Sequence, residues 1–311
     1  MPMDGHYSLQ RYADPQEHAA GLLNFNQHYV QVDSGFFGGA LMQADLGGLC
    51  VYRESVDRRI VQHSHLDARC VALGWGVRGG PAGGGPRQVI ATASGVLRGG
   101  EDWMFQLKPG IELCGITMPA DEFDRLAEAL GLRGAGTHYA MIRPGPRPLA
   151  NLQWGLAEVE RQAPRMASPE VRASLREHLL EAVFQAYHDG QQQARPDVTH
   201  LSHQQIVRCS QALALDRAER PPSVLELCAA LRVSRRTLQN SFVNVLGQPP
   251  STYLRCLRLG RVRRLLRTTP ASTLSVGDAG ARWGFFHLGH FAADYRRLFG
   301  ELPSQTARAV G

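Results

Sequence analysis

The chain has 311 residues, of which 43% are hydrophobic and 20% charged, with a net charge of +6. At roughly 100–200 residues per domain this length predicts two domains, and the composition excludes a disordered or collagen-like chain. No run approaches the ~18 apolar residues of a membrane span, and the N-terminus MPMDGHYSLQRYADPQEH lacks the basic start and apolar core of a signal peptide, so a cytoplasmic location is expected.

The elements are predicted in chain order as follows. Residues 15–29 read as a helix, with Leu22, Leu23 and Phe25 as its apolar surface. From about 36 to 117, short apolar stretches such as GALMQADL, RCVALGWGV, QVIATASGVL and ELCGITM alternate with Gly-rich breaks, the pattern of strands and turns. Within it, Trp75, Trp103 and Phe105 are candidates for core or for a pocket lining. The segment Gly79–Arg87 lacks the G-K-[ST] of a phosphate loop and reads as a hairpin loop. His63-x-His65 invites comparison with metal ligands on a cupin strand, but Asp67 and Arg69 follow where a cupin would place a Glu. A metal-dependent cupin-like enzyme is therefore a remote alternative, and no metal or cofactor is expected. Neither a nucleophile elbow, a Walker motif nor paired catalytic carboxylates stand out, so no catalytic residue is assigned. The six cysteines (Cys50, Cys70, Cys114, Cys209, Cys228, Cys256) are scattered without a C-x-x-C and read as reduced thiols.

A helix is predicted over 120–132. Another starts at Ser168, with Pro169 at its first position and Glu170 in its first turn, and runs to about 187. Its stripe of Val171, Leu175, Leu179 and Val183 serves either as core or as a dimer seam. The polar stretch 189–200, with Pro196, reads as a linker.

The remainder, 201–311, is predicted to be all-helical and to contain a repeat. Phe242, Leu246, Gly247 and Pro250 recur 53 residues later as Tyr295, Phe299, Gly300 and Pro303, and Leu238 recurs as Phe291. In the first copy Ser223-x-x-Glu226 opens a short helix ending near Leu231, and Ser234 caps a second helix ending at Gly247. In the second copy Ser275-x-x-Asp278 opens a short helix, the break falls near Gly284, and the second helix runs from about His287 to Phe299. Each copy has the layout of a helix-turn-helix. The intervening helix, Ser251 to Arg267, spans roughly 25 Å and carries Arg255, Arg258, Arg261, Arg263, Arg264 and Arg267, some of which suit phosphate neutralisation. From Pro221 onward there are thirteen arginines, no lysine and four acids, a surplus of nine, which leaves the first 220 residues at −3. A basic domain facing a polyanion is the simplest account.

The run VSRRTLQNSFVNVLGQPPSTYLRCLRLGRVRRLL followed by WGFFHLGHFAADYRRLFGELPS resembles the DNA-binding domain of the AraC/XylS family of transcription regulators, and within it RRTLQNSF and the WGF-HLG-FA-DY pattern are most similar to regulators of ethanolamine-utilisation operons. The resemblance implies an α+β layout: residues 1–188 a β-rich sensing and dimerisation domain, 189–200 a linker, and 201–311 an all-α domain with two helix-turn-helix units joined by a helix. It also implies double-stranded promoter DNA and RNA polymerase as partners, a homodimer, no membrane, and a small-molecule effector. The alternative is a ligand-independent regulator that works through dimerisation or protein partners. Because Leu238 and Phe242 must face inward, the first unit presents Arg235, Arg236, Gln239 and Asn240 outward. Arg suits guanine O6 and N7, and Gln or Asn suits adenine N6 and N7. The resemblance places Arg236, Gln239 and Asn240 at base-contact positions. The second unit offers Leu288, Gly289, Ala292 and Ala293 at the matching places, so its DNA-binding candidates are His287, His290, Arg296 and Arg297. Most sequence readout is expected from the first unit.

Overall fold

The computed structural model describes residues 6–80, 85–100, 102–134, 140–191 and 198–309. Its first part contains β1 (Tyr7–Tyr12), the short helix α1 (Pro15–Ala20), β2 (Phe25–Gln31), β3 (Gly39–Asp45), β4 (Cys50–Val56), β5 (Ile60–Leu66), β6 (Cys70–Gly80), β7 (Gly85–Arg98), β8 (Asp102–Leu107) and β9 (Ile111–Pro119). It continues with α2 (Ala120–Ala129), β10 (Ala140–Ile142), α3 (Pro146–Arg161) and α4 (Pro169–Gln191). The helical second part comprises α5 (Val198–Asp216), α6 (Val224–Leu231), α7 (Arg235–Leu246), α8 (Pro250–Thr268), α9 (Val276–Ala281) and α10 (Leu288–Phe299). The chain is thus α+β, with a β-rich N-terminal region and a helical C-terminal one. No helix of the described residues is long and apolar enough to cross a membrane.

Two antiparallel sheets form. The larger runs β1-β3-β4-β9-β6-β7-β10 and the smaller β2-β5-β8. Strand alternation assigns the two faces of each. On the larger sheet, Val71, Leu73, Trp75 and Val77 of β6 join Cys114, Ile116 and Met118 of β9 beneath α2, α3 and α4. Trp75 is fully buried there and belongs to the core. The opposite face carries a row of glycines, Gly115, Gly74 and Gly95, in register across β9, β6 and β7. The Tyr52 ring packs over Gly115, while Gly74 and Gly95 leave the space between the sheets open as a cavity of about 440 Å³. Trp103 and Phe105 of β8, stacked with ring centroids 4.6 Å apart, form one wall, and Arg78, Lys108 and Gln106 also line it.

Three expectations need correction. The predicted helix 15–29 stops at Ala20, because Gly21 ends it and Asn24 takes a left-handed φ of 64° before the chain turns into β2. Phe25, Tyr29 and Val30 in the FNQHYVQ stretch are residues that favour strands, and that propensity is the signal for β2. The helix α3 was not foreseen, and it covers the stripe on α4. Leu175, Leu179 and Val183 are buried in the core against it, where Gly155 packs so closely that a Cβ would collide with Leu179. That stripe therefore cannot be a dimer seam. The predicted linker 189–200 begins inside α4 and ends inside α5, and 192–197 lie outside the described residues, as do 81–84 of the predicted hairpin loop.

Beside the cavity the inner faces enclose a polar network. Tyr29 Oη donates to the Glu54 carboxylate, and Gln62 Nε2 donates to Glu54 Oε2 at 2.6 Å, with His18 Nε2 3.4 Å from Glu54 Oε1. Burial pushes the Glu54 carboxyl up to about 7, against the two hydrogen bonds that favour its charge, and it lowers His18 to about 4. A carboxyl raised in the fold keeps its proton where the unfolded chain has already released it. The contribution of Glu54 to folding stability therefore falls as pH rises from about 4.5 towards 7, while the lowered His18 contributes in the opposite sense. Glu54→Gln is expected to remove this component. The stability difference between variant and wild type, followed by urea unfolding, should grow in the variant's favour between pH 5 and 8.

Candidate nucleic-acid interface

Each helix-turn-helix is set up by its caps. Ser223 Oγ accepts from the Glu226 amide (3.2 Å), while the Glu226 side chain accepts from the Ser223 amide (2.7 Å), closing a reciprocal box at the start of α6. Arg232 then adopts a left-handed conformation, φ 53°, to turn the chain. Ser234 Oγ accepts from the Thr237 amide at 3.0 Å and starts α7. In the second copy Ser275 Oγ accepts from the Asp278 amide at 3.0 Å to start α9. The turn before α10 is longer, six residues against three, and includes Gly284 at φ 77°. Gly247 and Gly300 end α7 and α10 in the same left-handed conformation, as the repeat requires.

Helical spacing then decides what each unit exposes. On α7, Leu238, Ser241, Phe242, Val245 and Leu246 are buried, and Arg235, Arg236, Gln239 and Asn240 are all exposed on the opposite side. The first turn of α7 contains no acid. Two guanidiniums at the positive end of a helix are costly for the isolated helix and well suited to an anionic surface. On α10, Phe291, Tyr295, Leu298 and Phe299 are buried, leaving His287, Leu288, Gly289, His290, Ala293, Arg296 and Arg297 exposed. Arg297 is held by Asp294 at 2.6 Å, and Asp294 also takes Arg255 of α8 at 2.5 Å. The structure adds Phe286, which is 68% exposed beside Leu288, while its neighbour Phe285 is buried. A Phe-Phe doublet in a turn cannot bury both rings, and this was the available signal. The two heads thus differ in kind, one polar and hydrogen-bonding, the other apolar at its leading edge.

The arginines of α8 mostly take protein partners. Arg258 donates to the Trp283 carbonyl (3.2 Å) and lies over the Phe285 ring. Arg263 pairs with Asp14 and Glu301, and Arg267 with Asp14 and Glu17. Arg264 is exposed. Their number in the sequence reflects this docking as much as any polyanion.

The histidines of the supposed cupin pair also lie elsewhere than a metal site would need. His63 points out of β5 towards the helical domain. Gln211 Nε2 donates to the Tyr253 hydroxyl (2.5 Å), which leaves the hydroxyl proton for His63 Nε2 (2.7 Å). Burial, with Arg261 nearby, lowers His63 to about 4. His65 pairs with Asp102 at the surface.

Comparison with known proteins places this geometry in a class. Residues 227–309 match a family model described as a helix-turn-helix domain. The chain is 39% identical over 106 residues to a probable thc operon regulatory protein of Rhodococcus erythropolis, covering 34% of this chain and 32% of the relative. It is 37% identical over 93 residues to the XylDLEGF operon transcriptional activator of Pseudomonas putida, covering 30% and 29%. The matched part thus spans about a third of these relatives' length. Among solved structures, a transcriptional regulator with an AraC-type DNA-binding domain from Chromobacterium violaceum is 32% identical over 34% of this chain and 92% of that chain, with a TM-score of 0.32. The C-terminal domain is a double helix-turn-helix domain of the DNA-binding class. By that domain the chain is similar to transcription regulators of the AraC/XylS type.

Ser234→Ala removes the side-chain acceptor at the start of α7 and is expected to cost about 1 kcal/mol of stability, read as a lower midpoint in urea unfolding.

Proposed function

We propose that the protein is a sequence-specific, DNA-binding transcription regulator that reads promoter DNA mainly with its first helix-turn-helix. The observation that carries this reading is the set Arg235, Arg236, Gln239 and Asn240, exposed together on one side of a capped helix whose other side is buried. Such a set can grip guanine and adenine edges in a major groove. His287, His290, Arg296 and Arg297 on the second head add phosphate contacts, and Leu288 suits thymine methyls. RNA polymerase recruitment, a homodimer on repeated half-sites and a cytoplasmic location are part of this proposal, by resemblance to AraC/XylS-type regulators.

The cavity between the sheets supports control by a small-molecule effector. Its volume falls in the usual range for ligand sites, about 300–1,000 Å³, and a stacked aromatic wall faces a floor of glycine backbone. The similarity to ethanolamine-utilisation regulators makes small amines the first compounds to screen. A ligand at ~100 Kd stabilises the folded state by about 2.7 kcal/mol, an effect readable by thermal shift. Gly74→Leu, which fills the floor, is expected to abolish that shift while the protein still folds. A protein that no ligand shifts would favour the ligand-independent reading.

The reading of DNA is tested by capture of genomic fragments with purified wild type, Arg236→Ala and Asn240→Ala. A short repeated motif is expected with wild type and its loss with both variants. Loss of roughly 1–3 kcal/mol per base-contacting side chain is expected on the recovered motif. An equal loss of base preference in Leu288→Ala/His290→Ala would overturn the division between the heads.

A further inference from the structure

The N-terminal domain touches the helical domain at several places, and two of them are equivalent. Gly247 and Gly300 occupy the same position in the two repeats, the residue that ends each reading helix. Each faces an N-terminal side chain. A Cβ on Gly247 would lie 3.2 Å from Gln106 of β8, and one on Gly300 would lie 3.0 Å from the ring of Phe36. The second contact is reinforced by the backbone: the Gly35 amide donates to the Leu298 carbonyl at 3.1 Å, and Gln31 Nε2 donates to the same carbonyl at 2.7 Å. Between these points α1 holds α8. Asp14 pairs with Arg263, and both are nearly buried, while Glu17 pairs with Arg267 at the rim.

Each head also packs on α8, the first through Phe242 against Tyr253 and the second through Arg255–Asp294 and Arg258 over Phe285, and joins it by a short connection, Gly247–Pro249 on one side and Thr269–Ser275 on the other. The N-terminal contacts at Gly247 and Gly300 hold the C-terminal end of each reading helix. We infer that the N-terminal domain is a brace that sets the relative orientation of the two reading heads, and that Asp14, Glu17, Gln31, Phe36 and Gln106 are positioning residues for DNA recognition. All of them lie at the rear of the heads, away from Arg235, Arg236 and the leading edge of α10. They touch no DNA and act only through the angle and separation of the heads. The inference rests on the DNA-reading function proposed above.

The consequence is a spacing requirement. Two heads held at fixed separation gain from engaging both DNA elements only when the elements lie at the matching distance, and that gain is lost when geometry forbids simultaneous contact. The test uses the full chain and the captured motif in three duplexes: intact, with the second element displaced by about 5 bp, half a helical turn, and with the second element scrambled. Wild type should bind the intact duplex at least about tenfold tighter than the displaced one. Asp14→Asn/Glu17→Gln keeps a good cap on α1 and removes the charges that grip α8. It should bind the scrambled duplex within about twofold of wild type, yet lose most of the preference for correct spacing. Phe36→Ala/Gln106→Ala, which leaves those ion pairs intact, is the second variant, and circular dichroism checks that each is folded. Loss of the spacing preference in either folded variant supports the brace. Retention of the wild-type ratio by both overturns it, as does a wild type with no spacing preference. A wild type that prefers no motif over random DNA overturns the DNA-reading function itself, an outcome distinct from the other two.

Discussion

The rest of the structure depends on the three-stranded sheet β2-β5-β8 being committed on both faces. Its inner face closes the cavity with Trp103 and Phe105 and encloses Tyr29 and Gln62 with Glu54. Its outer face supplies Val30, Val61 and Met104 to the apolar core of the helical domain. A sheet with one solvated face would allow the two halves to move as independent beads. Here part of the outer face is packed against the helical domain, so separating the halves exposes Val30, Val61 and Met104 and breaks the His63–Tyr253–Gln211 chain of hydrogen bonds.

That arrangement places ligand chemistry and DNA chemistry on opposite sides of one strand. Along β8, Trp103, Phe105 and Leu107 line the cavity, while Asp102 meets Arg208, Met104 meets Gln211, and Gln106 lies against the end of α7. The cavity wall and the end of α7 are thus separated by the single strand β8.

Charge is divided in the same way. The arginines of the last third serve several ends, among them the leading edge of α7, the neutralisation of Asp294 and Glu301 inside the helical domain, and the pairing of Asp14 and Glu17 across the domain boundary. Only the first of these faces solvent as a group. A basic segment is therefore not by itself a map of a nucleic-acid surface, since arginine is also the residue best suited to partly buried ion pairs.

The sequence by itself determined the helical domain closely. The caps at Ser223, Ser234 and Ser275, the glycines at 247 and 300 and the 53-residue repeat are local devices, and local chemistry can be read without knowing what lies opposite. The outward set on α7 followed from the inward position of Leu238 and Phe242. Tertiary structure decided what depends on a partner. It turned the α4 stripe into core by laying α3 across it, turned His63 from a metal candidate into a hydrogen-bond acceptor at a domain boundary, and turned most of α8's arginines inward. An apolar stripe, a histidine or an arginine has the same sequence signature whatever it meets, because its energy comes from the surface brought against it, and only the packed fold supplies that surface.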